Sequence, residues 1–175
     1  DKKVNEVTST LFSAQGGSSS GRQKYKKVDD FARATQETLE REIKPTGFYR
    51  VKAKNIIAAA KKIRDEFGGR IPRTMAAMIT IPGIGRKSAN IILGNAYGIV
   101  EGIAVDTHVL RFAKICDLSD YDNPVNVERD LMKLFPKKEW FSLTYRIIDH
   151  GRKSRTREHK NEPCKLRDIC NDPKF

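Results

Sequence analysis

Apolar residues recur along this chain with the spacing of helices rather than strands. Between Val51 and Phe67, residues Ile56, Ala60, Ile63 and Phe67 form one stripe of an amphipathic helix, which Gly68 and Gly69 terminate. The same spacing predicts a helix from Lys87 to about Ala96, and another from Asp106 to Cys116 carrying Val109, Phe112, Ala113 and Cys116. Val127, Leu131 and Leu134 mark a further helix, and Trp140, Leu143, Ile147 and Ile148 one more. A short helix is expected from Lys2 to Phe12, and a helical stretch beginning near Lys26. No alternating segment is long enough to compete as a strand, and there is no internal repeat. The expected fold is all-α, a bundle of short helices.

Two segments break the pattern. Gly16-Gly17-Ser18-Ser19-Ser20-Gly21 has no side chain able to pack and reads as a flexible linker, so clean that it looks inserted or engineered. From Arg152 to Lys160 the chain reads RKSRTREHK, either a solvated tail or a phosphate-contacting one. These features divide the chain into a short N-terminal helix (1–15), a linker (16–24), a helical body (25–117) and a C-terminal helical lobe with a basic tail (118–175).

Charge narrows the partners. With 175 residues the chain suits one domain or two small lobes, and 34 Lys and Arg against 22 Asp and Glu leave a net +12. Such a surplus on a small domain points to a polyanion, most often nucleic acid, although solubility alone would also account for it. No apolar run is long enough to cross a membrane, and Asp1-Lys2-Lys3-Val4-Asn5 is no signal peptide. Three cysteines are too few for a disulfide scaffold, so a reducing cytoplasmic compartment is expected.

The chemistry-bearing stretch is Ile81-Pro82-Gly83-Ile84-Gly85-Arg86-Lys87-Ser88-Ala89-Asn90. Two glycines one residue apart let the backbone turn tightly just before a helix, which places bare N–H groups beside the free N–H groups of the helix start. That is an anion cradle. The completed Gly-x-Gly-x-x-Gly pattern and a preceding strand are both missing, so a dinucleotide site is not expected. Lys87 falls in the first turn, the unfavourable helix end for a cation. The positive helix end, Arg86 beside it and any desolvation would favour a neutral amine, which a Schiff-base nucleophile requires. A surface lysine touching phosphate is the competing reading.

Further along, Asp106 in Ala104-Val105-Asp106-Thr107-His108 stands where a helix should start. Capping alone would account for it. A carboxylate held by backbone N–H groups could also stabilise a developing cation or accept a proton.

Gly83-x-Gly85-x-Lys87 followed by Val105-Asp106-Thr107-His108 resembles the endonuclease III branch of the helix-hairpin-helix DNA glycosylases, over Lys2 to Phe12 and from Tyr25 to the C-terminus. The resemblance implies a bifunctional glycosylase and abasic-site lyase of base excision repair, acting on double-stranded DNA with damaged, oxidised-pyrimidine bases or abasic sites. It implies that the hairpin of Pro82, Gly83, Ile84, Gly85 and Arg86 grips the DNA backbone, often with a bound monovalent cation. A flipped base would enter a cleft. Lys87 would attack C1′ of the sugar, and Asp106 would assist base departure. His108 and Arg111 are lesser candidates for phosphate contact, and His108 could equally serve to order its helix. The chain is expected to be a nucleoid-associated monomer.

Two departures stand out. The family usually carries four cysteines spaced C-x6-C-x2-C-x5-C around a [4Fe–4S] cluster. Here Cys164 and Cys170 keep the last interval, while the other two positions fall on Asn161 and Ser154. A cubane held by cysteines needs four of them, so no cluster is expected, and Cys116 belongs to the core. Helices that precede the Asp1 segment in the family are missing, and Ser13-Ala14-Gln15, similar to a family tripeptide, follows the first helix instead of preceding it. This suggests a fragment, or a rearranged or engineered chain. Gln15 is therefore not taken as a site residue. The alternatives to an enzyme are a DNA-binding hairpin module without turnover, and a general nucleic-acid-binding helical domain.

Overall fold

The structure is a computed structural model that describes residues 2–12 and 25–153. The Gly/Ser run, Ser13-Ala14-Gln15, all but the first two residues of the basic run, and Cys164 and Cys170 lie outside the described residues. Among the described residues no strand occurs. The helices are α1 (Lys2–Phe12), α2 (Val28–Ala32), α3 (Gln36–Ile43), α4 (Tyr49–Phe67), α5 (Met75–Met78), α6 (Arg86–Tyr97), α7 (Thr107–Ile115), α8 (Pro124–Leu134) and α9 (Trp140–Lys153), with short 3₁₀ turns at Lys44–Thr46 and Lys137–Glu139. None of them is long and apolar enough to cross a membrane. The chain forms two compact units, Asp1–Ile84 and Gly85–Phe175.

In the first unit the core is Tyr25, Leu39, Ile43, Ala53 and Ile57, with Val7 and Leu11 of α1 packed against it. Tyr25 stacks on Phe31 with ring centroids 4.4 Å apart, and its hydroxyl donates to Glu42 Oε2 at 2.7 Å. Burial, with the Glu42 carboxylate beside it, pushes that hydroxyl well above its ordinary pKa. The buried stripe of α4 is Ala53, Ile57, Ala60 and Ile63. Ile56, expected in that stripe, is 36% exposed. Adjacent helical residues point about 100° apart, so seating Ile57 against the core turns Ile56 away. It lines an open apolar groove with Val28, Phe31 and Ile84 instead.

The second unit is built on Ile103, Val105, Val109, Ala113, Val127, Leu131, Leu143 and Ile147, drawn from the run before α7 and from α7, α8 and α9. Cys116 is buried, in keeping with a core position. Leu134, expected on the buried face of α8, is 56% exposed. The helix ends there, the Phe135 N–H closes it on the Leu131 carbonyl, and the Phe135 ring takes the place against the core. Side-chain caps set two starts in this unit: Asn123 accepts from Asn126 N–H at 2.9 Å, and Asp106 caps α7.

Candidate active site

The glycine-rich turn forms as its sequence requires. Ile84 N–H closes on Ile81 O at 3.0 Å, Gly83 takes φ +79°, and Gly85 is the extended N-cap of α6. Gly83 is needed twice over. Its φ is left-handed, and a Cβ there would come within 2.9 Å of Asn55 Cβ on α4. Gly83 and Gly85 are exposed, while Pro82 and Ile84 are half-buried.

Arg86 and Lys87 occupy the first two positions of α6 and behave differently. Arg86 donates Nε–H to Glu128 Oε2, a carboxylate only 3% exposed. Lys87 is exposed, so the burial allowed for from sequence is missing, and its Nζ makes no hydrogen bond or ion pair among the described residues.

Asp106 accepts the backbone N–H groups of His108 at 2.8 Å and Val109 at 2.9 Å, both at Oδ1. Its second oxygen has no hydrogen bond among the described residues. Capping therefore occupies one oxygen and leaves the other open. The residues before it, Ile103, Ala104 and Val105, are all buried. Their backbone would be costly to bury unpaired. Asn90 Nδ2 donates to Ile103 O at 3.3 Å, and Thr144 Oγ1 donates to Ala104 O at 2.9 Å. Side chains from α6 and α9 thus hold the run that delivers Asp106. Nothing in the local sequence marked Asn90, Glu128 or Thr144, because their partners lie 13 to 42 residues away.

His108 is half-buried, and its ring lies so near Gly151 of α9 that a Cβ there would stand 3.0 Å from Nδ1. Arg111 is exposed one turn further along α7.

Phe48 carries no motif in the sequence. This side chain is 89% exposed and its backbone is left-handed at φ 48°, directly before α4. A bulky residue in that conformation is strained, and a large aromatic so exposed is unusual. Arg50, Lys52 and Lys54 follow it on the helix. Gly47 before a basic helix start was the available signal.

The cluster implied by the resemblance needs four thiolates, and the two non-cysteine positions, Asn161 and Ser154, supply none. That donor set does not fit a cubane held by cysteines, and no step is derived through one. Cys164 and Cys170 lie outside the described residues. Among the described residues no group of three or more His, Cys, Asp or Glu is placed to hold a metal. For the implied monovalent cation, the carbonyls of Pro82, Gly83 and Ile84 close no turn, and such hard oxygens fit it.

Residues 1–137 match the HhH-GPD superfamily base excision DNA repair protein family. The chain is 39% identical to endonuclease III of Synechocystis sp. over 171 residues, covering 97% of this chain and 74% of that one. It superposes on a non-covalent endonuclease III–DNA complex with a TM-score of 0.80 at 35% identity, covering 98% of this chain and 76% of that chain. A trapped endonuclease III–DNA covalent intermediate gives a TM-score of 0.77 at 37% identity, over 87% and 67% of the two chains.

Proposed function

This chain belongs to the HhH-GPD superfamily of base excision DNA repair proteins, and we propose that it is a bifunctional DNA glycosylase and abasic-site lyase with Lys87 as nucleophile. The contrast between the two adjacent cations at the start of α6 carries the reading: Arg86 is tied to a buried carboxylate, and Lys87 is left free. Double-stranded DNA carrying a damaged base, an oxidised pyrimidine, is the substrate of this reading.

The glycine turn presents backbone N–H groups to a phosphate, and the positive end of α6 adds to the attraction. Phe48, in the first unit, supplies an exposed aromatic face beside a basic helix, able to stack on a nucleic-acid base. Lys87 Nζ attacks C1′ with its nitrogen lone pair, and the bond from C1′ to the base breaks with its electron pair leaving on the base, which takes up a proton from solvent. Asp106 faces the positive charge that develops on the sugar and accepts a proton from the attacking amine at Oδ2. Asp106 returns that proton to O4′ as the C1′–O4′ bond breaks, and the sugar ring opens to a protonated Schiff base. Loss of a C2′ proton then expels the 3′ phosphate by β-elimination, and water hydrolyses the imine to restore the amine.

Borohydride reduction during incubation with an abasic-site duplex tests this. A covalent protein–DNA adduct is expected, and it should vanish in Lys87→Ala. Duplex binding without any adduct would leave a hairpin module without turnover as the better description. Release of base from duplexes with one oxidised pyrimidine, against undamaged controls, tests the substrate class.

A further inference from the structure

We propose that Glu128 is a positioning residue for the reaction, aligning the helix of Lys87 with the segment of Asp106. The proposal rests on the lyase reading above. Glu128 lies on α8 and is 3% exposed. Its two oxygens take different partners on α6: Oε2 accepts from Arg86 Nε, and Oε1 accepts from Asn90 Nδ2 at 3.0 Å. Arg86 and Asn90 are four residues apart, so they sit one turn above the other on a single helix face. One carboxylate gripping two turns fixes both the rotation and the axial position of α6. Lys87 follows Arg86 by one residue, so its direction from the helix is set by that rotation.

The same Asn90 Nδ2 also reaches Ile103 O at 3.3 Å, in the buried run that ends at Asp106. The orientation of its amide is dictated by two acceptors, which leaves Oδ1 buried with no partner among the described residues. A core chosen for stability alone would avoid a buried carboxylate beside an orphaned amide oxygen. Gly102 completes the seat, since a Cβ there would overlap Glu128 Oε1. The arrangement joins the nucleophile's helix to the extended run that ends at Asp106 through the side chains of Arg86, Glu128 and Asn90.

The test measures single-turnover borohydride trapping on an abasic-site duplex, together with duplex affinity and thermal melting. It compares wild type, Glu128→Gln and Gly102→Ala, at a temperature well below each melting midpoint. Glu128→Gln keeps the shape and loses the charge, and Gly102→Ala pushes the carboxylate from its seat while keeping it intact. The expected result is a trapping rate at least about tenfold lower in each folded variant, with affinity within about threefold, since a displacement near 1 Å costs up to about 100-fold in rate. A merely structural role would lower the melting temperature and leave the rate of the folded protein unchanged. Folded variants that trap within about twofold of wild type overturn this proposal alone. A wild type that never traps overturns the lyase reading and this proposal with it.

Discussion

Asp106 Oδ1 accepts both the His108 and the Val109 backbone N–H, so the cap of α7 uses one oxygen of the carboxylate and not the other. Capping and the catalysis proposed for Asp106, alternatives on the sequence, would fall to different atoms of the same side chain. The division makes them separable by substitution.

Asp106→Asn should retain the cap, because its amide oxygen can still accept the two N–H groups. It loses the proton-accepting Oδ2. Melting is expected within about 0.5 kcal/mol of wild type, with glycosylase and trapping rates lower by roughly 100-fold, the scale of general base catalysis. Asp106→Ala should lose the cap as well and melt about 1 kcal/mol lower. Equal rates in wild type and Asp106→Asn would leave this residue as a cap only.

Phe48→Gly should make the protein more stable and a weaker binder. Glycine adopts the left-handed backbone freely, which relieves about 1 kcal/mol of strain and raises the melting temperature by roughly 2–4 °C. Removal of an 89% exposed ring forfeits little packing. Loss of its stacking face should weaken abasic-duplex affinity by about tenfold, the scale of one base–aromatic stack. Calorimetry and a fluorescence titration read the two effects separately, and unchanged affinity would remove Phe48 from the interface.

Gly83→Ala should damage the hairpin where Gly85→Ala does not. At Gly83 the new Cβ meets both a left-handed φ of 79° and Asn55 Cβ at 2.9 Å, whereas nothing lies within 4 Å of a Cβ on Gly85. Gly83→Ala is expected to lose roughly 1–3 kcal/mol of stability and most duplex affinity. Gly85→Ala should keep the fold and a measurable affinity. Comparable melting of the two variants would contradict the steric account.

Thr144→Val should expose the cost of delivering Asp106. The substitution preserves shape and leaves the buried Ala104 carbonyl without its 2.9 Å partner, a loss of about 1–3 kcal/mol. Hydrogen exchange should rise around residues 103–106 more than in the remainder of the second unit. Uniform exchange would show that the run is held by packing alone.

Helix existence, helix termini and the two residues proposed for the chemistry, Lys87 and Asp106, were legible in the sequence. Period-3.6 spacing predicted α4, α6 and α7 close to their observed bounds, and α8 and α9 by the apolar positions that they contain. Gly68, Gly85 and Asp106 mark termini because capping and glycine conformation act within a few residues. The Gly-x-Gly turn before Lys87 and the cap before His108 are likewise short-range arrangements.

What tertiary structure decided was the rotation of each helix and the company each polar group keeps. Periodicity allows Ile56 or Ile57, and Leu134 or Phe135, to face inward; the neighbouring helices selected Ile57 and Phe135. Arg86 and Lys87 are adjacent cations in sequence, and only a carboxylate 42 residues away distinguishes the paired one from the free one. Hydrogen bonds of that reach depend on where folding brings α8, and no pattern local to α6 encodes it. Local chemistry determined which groups could act, and packing determined which of them were left free to do so.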